Sequence, residues 1–237
     1  MACVFCATGW SGYRRNLTTA EIIAQFRGAR RYAAGSGMGP ITNVVFMGMG
    51  EPLMNRPAVM PTLTLLNHAY GLGARRITVS TVGVVPGILE LAQRTEQFRL
   101  AISLHATTTA QRLGIMPIEK KYDLEAVLRA AGAFRKRVTF EYVMIGGTND
   151  ADADADRLAK LARRLGALVN ILPLHPGGAP DLTPTTAAGI RRFADRLRNQ
   201  GIEATVRRSR GLDINAACGQ LRVEVERKRA KAEAAGG

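Results

Sequence analysis

The sharpest chemistry near the start of the chain lies in Cys3-Val-Phe-Cys6, two cysteines three residues apart. A CxxC pair can be half of a tetrahedral zinc site, a dithiol redox couple, or part of the thiolate set that holds an iron-sulfur cluster. Zinc wants a second close Cys/His pair, and the sequence offers only the distant Cys218 and three scattered histidines, His68, His105 and His175. A thioredoxin-type couple follows a strand, whereas almost nothing precedes Cys3. A cluster that keeps one iron open needs three thiolates from one short loop, and two are present. On that reading the third ligand is expected before Met1. Cys218, in Asp213-Ile-Asn-Ala-Ala-Cys-Gly-Gln-Leu221, is either a buried structural thiol or a reactive one favoured by Arg207, Arg208 and Arg210.

A second group of polar residues follows short apolar runs. In Gly48-Met-Gly-Glu-Pro52 the glycines allow close backbone approach, and Glu51 can offer a carboxylate to an ammonium group. Ser80 and Thr81, then Ser103, Leu104 and His105, end the next runs. Further on come Gly146-Gly-Thr-Asn-Asp150 and His175-Pro-Gly-Gly178. Each alone is read as a turn or a cap, but together they favour a ligand site.

The elements that must position them alternate. β-Branched runs at 41–47, 77–80, 100–104, 138–144, 168–172 and, more weakly, 204–206 read as strands. Helical spacing covers 18–34, 59–70, 86–94, 124–134, 153–165 and 184–200. Thr18 with Glu21, Asp123, and Thr183 before Pro184 mark helix starts. Strand then helix, repeated, implies an α/β fold with parallel pairing. Six strands suit a partial, open barrel better than a closed ring of eight, with the polar motifs on the C-terminal rim. No interdomain linker is visible.

The 237 residues carry 33 Lys+Arg against 19 Asp+Glu, a net charge of +14, and 46% are hydrophobic. That composition excludes global disorder and points to a polyanionic partner or a solvated basic surface. There is no run of 18 apolar residues and no secretory leader pattern, so no membrane association and a cytoplasmic location are expected.

Taken in order, the motifs resemble the RlmN-type radical S-adenosylmethionine adenine-C2 methyltransferases, which act on 23S rRNA and tRNA. The resemblance is carried by Cys3-Val-Phe-Cys6-Ala-Thr-Gly, Arg15-Asn-Leu, Glu21-Ile and Asn43-Val-Val-Phe-Met-Gly-Met-Gly-Glu-Pro52. It continues through Val79-Ser-Thr-Val-Gly-Val-Val-Pro86, Leu100-Ala-Ile-Ser-Leu-His105, Arg112, Met116-Pro-Ile and Phe140-Glu-Tyr. Asn149-Asp150, Asn170-Ile-Leu-Pro173 and Arg210-Gly-Leu-Asp-Ile-Asn-Ala-Ala-Cys-Gly-Gln-Leu221 complete it.

The resemblance implies a partial (βα)6 radical-SAM barrel, lacking its first strand in this chain, over residues 1–221, followed by a charged tail at 222–237. It implies a 4Fe-4S cluster on Cys3 and Cys6. Gly50, Glu51, Ser80, Ser103, Leu104, His105 and His175 would contact S-adenosyl-L-methionine, His175 standing where the family has Asn. Cys218 would be the methyl carrier: one cofactor molecule methylates it, and a second, cleaved reductively by a low-potential electron donor, gives a radical that activates the methyl group for adenine C2. The resulting protein-RNA crosslink is resolved by a second cysteine through a disulfide. That cysteine, an N-terminal RNA-binding domain and the first strand would precede Met1, so the chain as written is expected to be poorly active. The alternatives are a non-catalytic RNA-binding remnant and a related adenine-C8 methyltransferase.

Overall fold

The computed structural model describes residues 2–6, 8, 12–174, 179 and 181–207. Six strands form one parallel sheet in sequential order: β1 Val44–Phe46, β2 Ile77–Thr81, β3 Arg99–Ser103, β4 Thr139–Met144, β5 Leu168–Pro173 and β6 Ala204–Val206. Parallel neighbours need crossovers. These contain α2 Arg56–Thr64, α3 Val85–Ala92, the pair α4 Thr109–Ile115 and α5 Leu124–Gly132, α6 Asp152–Leu165, and α7 Ala187–Asn199. An earlier helix, α1 Thr19–Gly35, packs on α2. When strand order never reverses, right-handed crossovers put every helix on one face, and the sheet curls with its other face inward.

The side chains follow that division. Ile77, Val79, Leu100, Ile102, Phe140, Tyr142, Val169 and Ile171 are buried in one cluster with helix residues such as Ile88, Val127, Leu158 and Phe193. The alternate positions carry Ser80, Ser103, Glu141, Asn170 and Thr205, which therefore face the concave side. The sheet is not closed. At its first edge the inward Val45 is 59% exposed, and across the opening Arg207, just after β6, approaches Met47 Sδ at 3.7 Å.

All six expected strands form. β1 is shorter than 41–47, because it is an edge strand paired only with β2. The helix expected over 59–70 starts at Arg56, with Pro57 in its first turn, and passes at Leu65–Ala69 into a wider π turn. The start expected at Thr183 moves to Thr186, whose hydroxyl accepts from Gly189 N at 3.1 Å. Thr183 and Pro184 are engaged elsewhere: Thr183 O accepts from Gly146 N at 2.7 Å and Pro184 bridges Ile145. The other two signals form as read. Thr18 and Glu21 close a capping box, and Asp123 accepts from Ala126 N at 2.7 Å, each cap contributing about 1 kcal/mol. Helix α4 and the 3-10 turn Pro117–Lys120 have no counterpart in the expected elements; seven residues capped by Thr108 are too few to show a period.

Candidate cofactor site at the C-terminal rim

Gly50 adopts φ +93°, a conformation that favours glycine, and nothing lies within 4 Å of where a side chain would be. The turn sets Glu51 at the start of the 3-10 turn Pro52–Met54 with its carboxylate buried. One oxygen accepts from Leu53 N at 2.9 Å and the other from Val82 N at 2.8 Å. Burial pushes the Glu51 pKa up, against the lowering effect of these hydrogen bonds. The next peptide unit is held as well, since Val82 O accepts from the Arg112 guanidinium. Arg112 is fully buried and ion-paired with Glu119, whose second oxygen caps Leu124 N at 2.8 Å. Its Nε has no partner among the described residues.

His105 follows β3 with φ +57°, uncommon for a residue with a Cβ. Two interactions hold it: its Nδ1 accepts from Val143 N at 3.1 Å, and Asn149 Nδ2 donates to its carbonyl at 2.7 Å. Asn149 also donates to Val143 O and accepts from Ile145 N, so one amide ties the ends of β3 and β4 together. Burial, helped by the Arg112 charge, lowers the His105 pKa to about 3. The ring is thus neutral, with its proton on Nε2. Phe5, inside the CxxC, meets the imidazole edge-on with centroids 4.8 Å apart.

The CxxC loop sits on the same rim. Val4 N donates to Ile115 O at 3.1 Å, at the end of α4, and Cys6 N to Cys3 O at 3.1 Å. Cys3 is buried with Ala106, Ile115, Met116, Val143, Ile145 and Leu174, while Cys6 is half-buried. Burial first, then the neighbouring Cys6, pushes the Cys3 thiol up to about 11, with Arg112 acting in the opposite direction.

On the concave face the register sets Ser103 beside Glu141, Glu141 beside Asn170, and Asn170 beside Thr205. Thr205 Oγ1 donates to Asn170 Oδ1 at 3.1 Å, and Asn170 Nδ2 donates to Glu141 Oε2 at 2.9 Å. Cys3, Cys6, Gly50, Glu51, Ser80, Ser103 and His105 thus all belong to the C-terminal end of the sheet. Leu104 differs: its side chain lies in the helix-side core, and only its backbone, donating to Glu141 O at 3.0 Å, faces the site. His175 and Cys218 lie outside the described residues.

A family model described as the radical SAM superfamily matches residues 1–162. A probable dual-specificity RNA methyltransferase RlmN of Gemmatimonas aurantiaca is 57% identical over 226 residues, covering 94% of this chain and 62% of that protein. The dual-specificity RNA methyltransferase RlmN of Vesicomyosocius okutanii is 43% identical, covering 99% of this chain and 67% of that protein. The chain belongs to the radical SAM superfamily, in its RlmN-type family. A solved radical SAM methyltransferase from Sphaerobacter thermophilus superimposes with a TM-score of 0.86 at 47% identity, over 92% of this chain and 66% of that one. The chain therefore spans a little under two thirds of the Gemmatimonas relative's length.

Membership of the radical SAM superfamily brings a 4Fe-4S cluster and S-adenosylmethionine as cofactors. The described residues supply two thiols for the cluster and an open polar rim for the nucleoside. Two thiols in one turn are soft donors, and the burial and the neighbouring Cys6 that raise the Cys3 pKa are offset when a metal cluster takes both as thiolates. The described residues contain no group of three His, Cys, Asp or Glu side chains able to hold a metal. For the nucleoside, Ser80 and Ser103 hydroxyls make no hydrogen bond among the described residues, and the space beside Gly48 and Gly50 is open. Residue-by-residue reading did not single out Arg112, Asn149 or Glu141 as functional. Their motifs were visible, but only the register and the buried hydrogen bonds reveal their tasks.

Proposed function

We propose that this chain is the catalytic core of a radical S-adenosylmethionine methyltransferase acting on C2 of adenine in 23S rRNA and tRNA. The observation that carries the reading is the convergence of Cys3-x-x-Cys6, Glu51 and His105 on one rim of a parallel barrel whose sequence is RlmN-type from end to end. Cys3 and Cys6 would hold the 4Fe-4S cluster, and Gly50, Glu51, Ser80, Ser103, His105 and His175 would hold the nucleoside cofactor, two molecules per turnover. When bound, these groups supply one-electron cleavage chemistry, fed by a low-potential donor.

The chain's own residues orient and exclude. Leu53 N and Val82 N fix both Glu51 oxygens, leaving their remaining lone pairs directed for an ammonium. Neutral His105 offers a fixed Nε2–H donor, and Phe5 meets its ring edge-on beside the cysteine loop. Cys218 would carry the methyl group. A net charge of +14 attracts RNA phosphates, and a base must leave its stack to enter a barrel. Among the described residues no helix is long and apolar enough to cross a membrane.

The test is product analysis. Anaerobically reconstituted protein is incubated with S-adenosylmethionine, a reductant and rRNA or tRNA, and the RNA is digested to nucleosides. The reading expects 2-methyladenosine in low yield from the chain as written, and none with Cys218→Ala. Finding 8-methyladenosine instead would assign the chain to the resistance-type relatives.

A further inference from the structure

The chain between the cysteine loop and α1 is exposed without a break from Gly12 to Thr18, yet it is fastened along its length. Arg15 donates twice to the Glu21 carboxylate, at 2.9 Å and 2.7 Å, and the same carboxylate takes Thr18 N at 2.8 Å. Arg15 first, then the Thr18 N–H, lowers the Glu21 pKa to about 2, so the pair is ionised at neutral pH. On the other side Asn55, which ends the 3-10 turn after Glu51, donates through Nδ2 to Leu17 O at 2.8 Å. The strip is thereby tied both to α1 and to the turn that carries Glu51, on the rim shared with the cysteine loop.

Its side chains are not those of a merely solvated strip. Tyr13 is 77% exposed, the most of any large apolar side chain among the described residues. Two residues on, Arg15 is largely exposed while its guanidinium plane is fixed by the two bonds to Glu21. Leu17 and Met54, on either side of the Asn55 hydrogen bond, are also exposed. An exposed ring near a fixed guanidinium, on backbone already ordered by hydrogen bonds, suits unpaired nucleotides, whose bases stack on aromatic rings and on arginine planes. The net charge of +14 favours such a polyanion over an ordinary protein surface. The chemistry at the rim supplies the need: an adenine that enters the barrel leaves its stack, and the bases beside it each lose a stacking partner.

We infer that the strip 13–17 is a stacking platform for the unpaired bases that flank the target adenine, with Tyr13 as its ring and Arg15 as its fixed plane and charge. The inference rests on the reading that the chain acts on RNA, and the test tells failure of one from failure of the other.

Fluorescence anisotropy measures binding of the purified chain to a short RNA hairpin with an adenine in its loop, and to a fully paired RNA duplex. A 2-aminopurine next to the loop adenine reports stacking directly through quenching. The unsubstituted chain is expected to bind the hairpin more tightly than the duplex and to quench the probe. Tyr13→Ala is expected to lose about tenfold on the hairpin, to leave duplex affinity unchanged and to relieve the quenching. Tyr13→Phe keeps the ring and should restore both; since the side chain faces solvent, both variants should melt with the parent. Arg15→Lys keeps the charge without the plane, and is expected to weaken hairpin binding with the salt dependence unchanged. Equal hairpin affinity in Tyr13→Ala, or a loss that Tyr13→Phe does not restore, overturns the inference and leaves the RNA reading standing. An equal loss on hairpin and duplex overturns it too, because the strip would then contact only the sugar-phosphate backbone. Self-association that disappears in Tyr13→Ala while hairpin binding is unchanged would give the strip to a second copy of the chain. An unsubstituted chain that binds neither RNA removes the RNA reading and the inference with it.

Discussion

Glu51 and Arg112 hold the two peptide units that flank Val82: the Glu51 carboxylate takes the N–H of Val82 at 2.8 Å, and the Arg112 guanidinium donates to the Val82 carbonyl. A buried acid on the β1 loop and a buried base on α4 thereby clamp the end of β2. Because α4 also receives Val4 N through Ile115 O, the clamp and the cysteine loop share one support. Geometry at the rim is set by this chain of contacts rather than by any single motif.

Breaking the clamp at Arg112 should therefore be severe. Arg112→Met leaves Glu119 charged and buried with only Leu124 N as a partner, and is expected to cost about 3–5 kcal/mol in urea unfolding. Pairing it with Glu119→Leu removes the orphaned charge and should recover part of that loss. If the double variant is as unstable as the single one, the ion pair is not what the fold depends on.

The two rim glycines are predicted to differ. At Gly50 an added methyl meets open space, so Gly50→Ala should cost only the left-handed backbone, about 1–2 kcal/mol. At Gly83, with φ +107°, the same methyl would lie 2.5 Å from Val127 Cγ2 and 3.3 Å from Arg112 Nη2, so Gly83→Ala adds a core collision to the backbone cost. Thermal melts of the two variants should rank Gly83→Ala well below Gly50→Ala. Equal losses would mean that Val127 yields freely.

These contrasts also show how far the sequence could be read. Alternating runs such as Ile77–Ser80 were legible from their period, and helices such as Leu124–Gly132 because period and the Asp123 cap agree. The α4 segment was not, since seven residues beside a polar loop carry no period, and the clamp it supplies joins positions 51, 82 and 112. Glu141 lay in a recognisable motif, but its hydrogen bond with Asn170, 29 residues on, is brought about only by the sheet register. Ser103 and Leu104 were singled out together, and strand alternation sends their side chains to opposite faces.

His105 predicts an acid sensitivity with a definite sign. Its pKa is about 3 in the fold against 6.5 when exposed, so between those values the unfolded chain binds more protons and stability falls as pH falls. Above pH 6.5 both states are neutral and the group has no effect. The loss should approach 1.4 kcal/mol per pH unit inside the window. Urea unfolding between pH 7 and pH 4 should show a shallower dependence for His105→Gln than for the unsubstituted protein; parallel curves would contradict a neutral buried imidazole.

The two loop cysteines should label at different rates. Cys3 is buried with its thiol pushed up to about 11, whereas Cys6 is half-buried, so in the metal-free protein iodoacetamide at neutral pH should modify Cys6 long before Cys3. Peptide mapping by mass spectrometry measures this, and faster labelling at Cys3 would mean that the loop opens.

The central claim, that Cys3 and Cys6 hold an iron-sulfur cluster beside a nucleoside site, is tested most directly by anaerobic reconstitution of the purified chain with iron and sulfide. The account predicts a brown protein whose visible absorbance changes on adding S-adenosylmethionine and is lost in Cys3→Ser and Cys6→Ser. A chain that stays colourless, or whose absorbance survives unchanged in both variants, would contradict it.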